Sequence, residues 1–215
     1  MGRRALKKVN PDLDLSRHLR KVDDLPVPWD QAALFERAAP LEIELGSGKG
    51  LFLQNAATAM PERNFLGVEV SFKYARFTAA RLARAELDNA VAVHGDGLRM
   101  FRELLPAEST EAVHVYFPDP WWKARHRKRR VLNQAFLADT VRVLRPGGRL
   151  HFWTDVEEYF ESTLELIAAT TPQLEGPLAI AQRPAEHDLD YRTHFERRTR
   201  LNGQTVFRSE FVNRR

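Results

Sequence analysis

The 215-residue chain contains no cysteine, which excludes disulfides, thiolate metal sites and thiol nucleophiles and is compatible with a reducing compartment. Its seven histidines are scattered without an HExxH-type pair, so no metal is expected. No apolar run approaches the ~20 residues that cross a bilayer. The basic start MGRRALKKVN lacks the apolar stretch of a secretory signal, and Leu6 spoils a myristoylation pattern. These absences read as a soluble, cytoplasmic chain with no membrane partner.

With 43% hydrophobic residues, the length suits one sizeable core rather than two small ones. The formal charge of +4 conceals a strong asymmetry. Residues 1–25 carry +3, residues 123–130 carry +6 and residues 191–215 carry +5, which leaves −10 on the rest. An acidic body with three basic patches points to a polyanion bound over a defined surface; solvated faces and tails are the plainer alternative.

From residue 41 short β-rich runs alternate with longer helical ones. LEIEL, NFLGVEV, AVAVHGD, EAVHVYF and RLHFWTD read as strands, and the Ala-, Leu- and Arg-rich segments between them have helical spacing. Repeated βα units imply an α/β fold, a largely parallel sheet with helices on both faces. After VEEYFESTLELIAATT, the Pro and Gly of TPQLEGP read as a linker, and Asn202-Gly203 between two β-rich arms predicts a closing antiparallel hairpin. Five parallel strands plus such a hairpin resemble the class I, Rossmann-like methyltransferase plan. Residues 1–39 show no such rhythm and read as a basic N-terminal arm capped by a short helix near WDQAALFERA, with the main domain over 40–215.

ELGSGKG follows the first of these strands and opens a helix, where open α/β sheets place ligands. Gly46, Gly48 and Gly50 permit a tight turn and close backbone approach. A dinucleotide fingerprint would need its third glycine at Leu51, and a phosphate loop needs Ser or Thr after Lys49. The remaining E-x-G-x-G-x-G pattern resembles motif I of S-adenosylmethionine-dependent methyltransferases, and Glu44 suits a ligand carrying ammonium and sulfonium charge. Glu69, Asp96 and Asp119 fall after the next three strands. Each alone is equally well read as a helix cap, but four acids at successive carboxyl ends line one crevice.

Phe117-Pro118-Asp119-Pro120-Trp121 then runs into Lys123, Arg125, His126, Lys128, Arg129 and Arg130. With Thr154-Asp155 and the tail residues Thr193, Phe195 and Glu196, this order closely resembles the bacterial tRNA (guanine-N7)-methyltransferases over residues 41–210. Trp122 stands where that family usually has proline, Ala124 and Arg127 replace more typical basic or His residues, and His194 replaces a usual lysine.

The resemblance implies transfer of a methyl group from S-adenosylmethionine to N7 of the variable-loop guanosine (tRNA position 46), giving 7-methylguanosine. It places Glu44, Gly46, Gly48, Gly50, Glu69, Asp96 and Asp119 at the cofactor. Lys123, Asp155 and Thr193, His194, Phe195 and Glu196 are placed at the RNA, with Arg125, His126, Arg127, Lys128, Arg129 and Arg130 as a phosphate clamp. Asp119 is the catalytic candidate, and Asp155 or Glu196 the reader of the guanine edge. Monomer and homodimer both remain open. PDPW also resembles the Asn/Asp-Pro-Pro-aromatic motif of exocyclic-amine methyltransferases, but only one proline follows Asp119. A fold retained for RNA binding without turnover would be expected to have lost acids or glycines that are all present here.

Overall fold

Period-2 alternation sorts the strand residues onto two different faces, and that sorting fixes where the chemistry can sit. The computed structural model describes residues 6, 8–182 and 184–215. The basic residues Arg3, Arg4 and Lys7 of the N-terminal arm lie outside the described residues. In chain order the elements are β1 (Leu19–Lys21), α1 (Ala32–Phe35), β2 (Leu41–Leu45), α2 (Leu51–Ala59), β3 (Asn64–Glu69) and α3 (Phe72–Arg84). They continue with β4 (Ala90–His94), α4 (Gly97–Arg99, prolonged by a wide turn to Leu104), β5 (Thr110–Tyr116), α5 (Gln134–Val143) and β6 (Leu144–Thr154). Last come α6 (Glu157–Thr170), β7 (Leu174–Ala179), α7 (His194–Leu201) and β8 (Phe207–Asn213).

The eight strands form one sheet in the order β1-β4-β3-β2-β5-β6-β8-β7. Pairs from β1 through β6 are parallel, whereas β8 runs antiparallel to both β6 and β7. The mostly parallel α/β plan of the sequence is therefore present, with two differences. Residues 19–21, read as part of an arm, add a sixth parallel strand beside β4, and Val22, Leu25, Leu34 and Phe35 behind them are buried in the core. The short helix near WDQAALFERA is α1.

The second difference concerns the closing hairpin. Asn202-Gly203 does not turn one strand into another but ends α7: Gly203 has φ +69°, its N–H donates to Arg200 C=O, and Gln204 N–H donates to Thr199 C=O. That bond pair is a Schellman cap, which requires the same left-handed glycine as a hairpin turn. The antiparallel partners of β8 are instead β6 and β7, the latter starting within the stretch read as a linker.

One face of the sheet is aliphatic. Ile43, Leu66, Val68, Val91, Val93, Val113, Val115, Leu150 and Phe152 pack there with Phe101, Phe136, Leu137, Val141 and Ile167 from the α4, α5 and α6 side. The opposite face carries Glu42, Glu44, His114, Tyr116, His151 and Trp153 under α2. In register across it lie Gly67, Glu44, His114, His151 and Glu210. Helix α2 approaches closely because Gly67 has no side chain; a Cβ there would meet Leu53 Cδ1 at 2.1 Å. Phe52 lies with its ring 4.5 Å from His114.

Some polar groups on this face, centred on Glu42 and His114, pair with one another. Arg63 donates to Glu42 Oε1 at 2.5 Å, while His114 Nε2 and Glu42 Oε2 are 2.8 Å apart. His114 Nδ1 lies 2.8 Å from the Tyr116 hydroxyl. A neutral His114 donating from Nε2 to Glu42 and accepting from Tyr116 satisfies every contact. Burial indeed pushes His114 below the usual imidazole range against the opposing pull of Glu42, and it pushes His18 and His151 down as well.

These shifts have one sign. The folded values lie below the unfolded value of about 6.5, so the stability held by neutral imidazoles is complete above that pH and is lost as pH falls towards the folded values. Glu42 acts in the same direction, because His114 and Arg63 outweigh the burial that would raise it. The thermal midpoint should therefore fall between pH 7 and pH 5 in calorimetry. His114→Gln should flatten that slope, and an unchanged slope would remove His114 from the account.

Candidate active site at the carboxyl ends of the strands

The glycine turn is bent over the end of β3. Gly46 and Ser47 both donate their N–H to Val68 C=O, at 2.8 and 3.1 Å. Gly46, Gly48 and Gly50 have φ of +83°, +54° and +68°, which L side chains rarely adopt. Gly50 has a packing reason besides, since a Cβ would strike Thr78 Cγ2 at 2.5 Å, and Thr78 in turn donates to Gly48 C=O at 3.0 Å. Above Gly46 no atom lies within 4 Å of a Cβ position, so the turn exposes bare backbone to the crevice.

Two acids flank this backbone in unlike states. Glu69 accepts from Gly48 N–H at 3.0 Å and from Ser71 N–H at 2.9 Å, which fixes its carboxylate over the turn. Glu44 is 3% exposed and its Oε2 has no hydrogen-bond partner. Burial pushes its pKa well above the usual carboxylate range, Glu69 adds to the effect and Arg192 opposes it. A buried acceptor without a donor is costly in a finished protein. It fits a site completed by a ligand with N–H or cationic character. Asp96 is exposed at the end of β4 and caps α4, its Oδ1 accepting from Leu98 N–H at 2.9 Å and Arg99 N–H at 3.3 Å.

Beyond β5 the Phe-Pro-Asp-Pro-Trp loop holds two left-handed non-glycine residues, Phe117 at φ +50° and Trp121 at φ +46°. Such conformations cost ~1–3 kcal/mol each and persist where their surroundings enforce them. Phe117 N–H donates to Trp153 C=O at 2.7 Å. Arg130 secures the far end: it is buried, donates to Pro120 C=O at 2.8 Å, Ser162 at 3.2 Å and Glu158 at 3.1 Å, and lies over the Tyr159 ring. Arg130 is thus an anchor for the loop rather than a free clamp residue. Asp119, held between these two fixings, is exposed.

Residues 124–129 form short 3-10 turns. Lys123, Arg125, Arg127, Lys128 and Arg129 point to solvent and His126 is half-buried; Arg127 pairs with Glu158 at 3.3 Å. Trp121 is held between Arg129, 5.1 Å from its ring, and His126, 5.9 Å away edge-on. Trp122 is 64% exposed.

The tail folds back onto the same crevice. Thr193 caps α7 by accepting from Glu196 N–H at 3.0 Å, and Glu196 Oε2 accepts from Arg192 N–H at 2.6 Å. Buried Glu196 also pairs with Arg208 at 3.0 Å and Arg200 at 3.3 Å, so it organises the tail from within. His194 lies 3.2 Å from Arg81, and burial, with Arg81 and Lys49 adding, lowers its pKa to about 4. Phe195 stacks on Phe117 at 5.9 Å. Asp155 is exposed at the end of β6, its Oδ2 3.4 Å from Thr199 Oγ1.

The structure thus gathers the glycine turn, the Asp119 loop, the end of β6 and the tail around one crevice, and removes Arg130 from it. A cleft of about 290 Å³ lined by Arg130, Asn133, Tyr159 and Ser162 lies on the α5 and α6 side and contains none of the four acids. Sequence reasoning missed Arg192, whose guanidinium lies over Phe52, Tyr116 and Trp153 at 5.4, 5.8 and 5.2 Å. Its position directly before Thr193 was the available signal.

Comparison with known proteins agrees with this geometry. Residues 38–209 match the family described as "Putative methyltransferase". A tRNA (guanine-N(7)-)-methyltransferase of Rhodopirellula baltica is 51% identical over 97% of this chain and 79% of its own. Enzymes of the same name are 39% identical in Aromatoleum aromaticum, over 87% of this chain and 71% of that one, and 36% identical in Burkholderia ambifaria, over 99% and 79%. Among solved structures, a SAM-dependent methyltransferase from Aquifex aeolicus aligns with TM-score 0.54 at 12% identity, over 93% of this chain and 98% of that one. The aminoglycoside resistance methyltransferase NpmB1 aligns with TM-score 0.52 at 19% identity, over 83% and 89%. Both show the Rossmann-like methyltransferase fold. The chain therefore belongs to the tRNA (guanine-N7)-methyltransferase family of class I, S-adenosylmethionine-dependent enzymes.

Proposed function

We propose that this protein methylates N7 of the variable-loop guanosine, position 46, of tRNA in the cytoplasm, with Asp119 at the reacting atoms. The observation that carries the reading is the crevice itself: an unpartnered buried carboxylate beside open glycine backbone, joined through the Asp119 loop to a solvent-facing cationic run.

The residues present fit the cofactor. Glu44 and Glu69 would hold its methionine and ribose parts and Asp96 would lie beside the adenine, while Gly46 and Gly48 leave room for backbone approach. When bound, S-adenosylmethionine supplies a sulfonium methyl group; the N7–C bond forms as the S–C bond breaks, and its electron pair stays on sulfur. Guanine N7 attacks with an in-plane lone pair outside the aromatic sextet, so no proton has to leave first and no strong base is needed. Positive charge ends on the purine. An exposed carboxylate at Asp119 stabilises that charge as it develops, and the left-handed Phe117 and Trp121 hold it on a rigid loop. Asp155, exposed at the end of β6 with one contact to the Thr199 hydroxyl, is the better placed of the two acids to accept from guanine N1–H and the exocyclic amine, since Glu196 is already engaged by Arg200 and Arg208.

Lys123, Arg125, Lys128 and Arg129 meet backbone phosphates, and Trp122 offers a free ring face on which an extruded base can stack. Trp121 is spoken for by Arg129 and His126.

Methyl transfer from labelled cofactor to unmodified tRNA, followed by nuclease digestion, should yield 7-methylguanosine at one variable-loop position. Asp119→Ala should lower kcat ~100-fold or more with tRNA affinity retained. Label on an exocyclic amine, or tRNA and cofactor binding without transfer, would overturn the assignment. The basic run divides under mutation. Lys123→Ala or Lys128→Ala should weaken tRNA binding and reduce the slope of log K against log salt by about one. Arg130→Ala should instead destabilise the fold by about 2 kcal/mol or more through lost charged hydrogen bonds, read as a lowered thermal midpoint without tRNA.

A further inference from the structure

Arg192 is held in an aromatic cage at the centre of the crevice. Phe52 opens α2 immediately beyond the glycine turn, Tyr116 is the last residue of β5 before the Asp119 loop, and Trp153 lies one strand further on. The guanidinium carbon sits 5.4, 5.8 and 5.2 Å from these three rings. Its backbone is fixed by the 2.6 Å bond from its N–H to Glu196, and Glu196 is itself buried. Among the described residues the guanidinium makes no hydrogen bond and no ion pair. Aromatic faces therefore hold the cation while its N–H edges stay unused. A planar fork fixed in this way matches the geometry of a carboxylate.

The second observation is the orphaned oxygen of Glu44, a residue 3% exposed within reach of the Arg192 charge. A buried acceptor without a donor and a caged donor set without an acceptor thus face one crevice, near enough for their charges to interact. An amino-acid end group answers both at once, because its ammonium is a donor and its carboxylate an acceptor.

We propose that Arg192 is a cofactor-binding residue that receives the α-carboxylate of the methionine moiety, as the counterpart of Glu44 at the ammonium. This rests on the reading that the crevice takes S-adenosylmethionine. It also joins cofactor to RNA, because the residue that grips the carboxylate directly precedes the tail segment Thr193 to Glu196.

The test is calorimetric binding of S-adenosylhomocysteine and of its decarboxylated analogue to wild type, Arg192→Met and Arg192→Lys. Wild type should prefer the carboxylate-bearing ligand about tenfold or more. Arg192→Met keeps an apolar stem among the rings and should lose that preference, with affinity for S-adenosylhomocysteine down about tenfold and affinity for the analogue little changed. Arg192→Lys should keep part of the preference. Unchanged or tighter binding of S-adenosylhomocysteine by Arg192→Met would make the guanidinium a mere cover over Glu44 and overturn the proposal. Equal loss of both ligands, with or without a lowered thermal midpoint, would do the same by reducing Arg192 to packing. Wild type binding neither ligand would sink the cofactor reading along with the proposal, whereas wild type binding both equally would sink the proposal alone.

Discussion

A carboxylate buried at the end of β2 with one oxygen unpaired sets the terms for everything around it. Taking charge out of water is among the largest penalties a fold can carry, and a chain without a use for Glu44 gains nothing by keeping it. The surroundings are arranged to make it tolerable without neutralising it by contact. Glycine backbone stands open in front of it, Glu69 is tied down by two N–H groups, and the imidazoles behind it are held neutral by burial, with the N–H of His114 spent on Glu42.

The two faces of the sheet divide labour accordingly. On the aliphatic face, β-branched and large apolar side chains alternate strictly and are closed off by α4, α5 and α6. The other face spends its positions on Glu42, Glu44, His114, Tyr116 and His151, with stability recovered from the cross-strand hydrogen bonds and from α2 pressing Phe52 and Leu53 onto it. A buried polar face is most tolerable where its members satisfy one another, as Glu42, His114 and Tyr116 do, whereas Glu44, His151 and Trp153 each keep a buried atom without a hydrogen-bond partner.

Much of this was legible in the sequence because it rests on local rules. The parallel strands follow from period-2 apolar runs, the crevice from acids at successive strand ends, and the loop from the Phe-Pro-Asp-Pro-Trp order. What escaped depends on context. Asn202-Gly203 demands a left-handed glycine in either a hairpin or a helix cap, and α7 hides its helical period because its buried residues are Glu196 and Thr199 rather than apolar ones. Strand β1 is three residues long, too short for a pattern. Arg130 looks like its cationic neighbours until Pro120, Ser162 and Glu158 are seen to surround it. Arg192 is one arginine among seven in its segment, and only the fold brings three rings from distant strands and helices to meet it.

Strand β8 lies between β6 and β7 although it follows both in the chain. During synthesis β7 emerges with no neighbour to pair with, and its ladder can close only when β8 arrives and slots in beside β6. The crevice is consequently finished by the same late event, because α7 and the loop carrying Arg192 are threaded between these two strands. A chain that stops short of β8 carries the glycine turn and all four acids on its parallel strands, yet lacks the strand that fixes the tail segment against them.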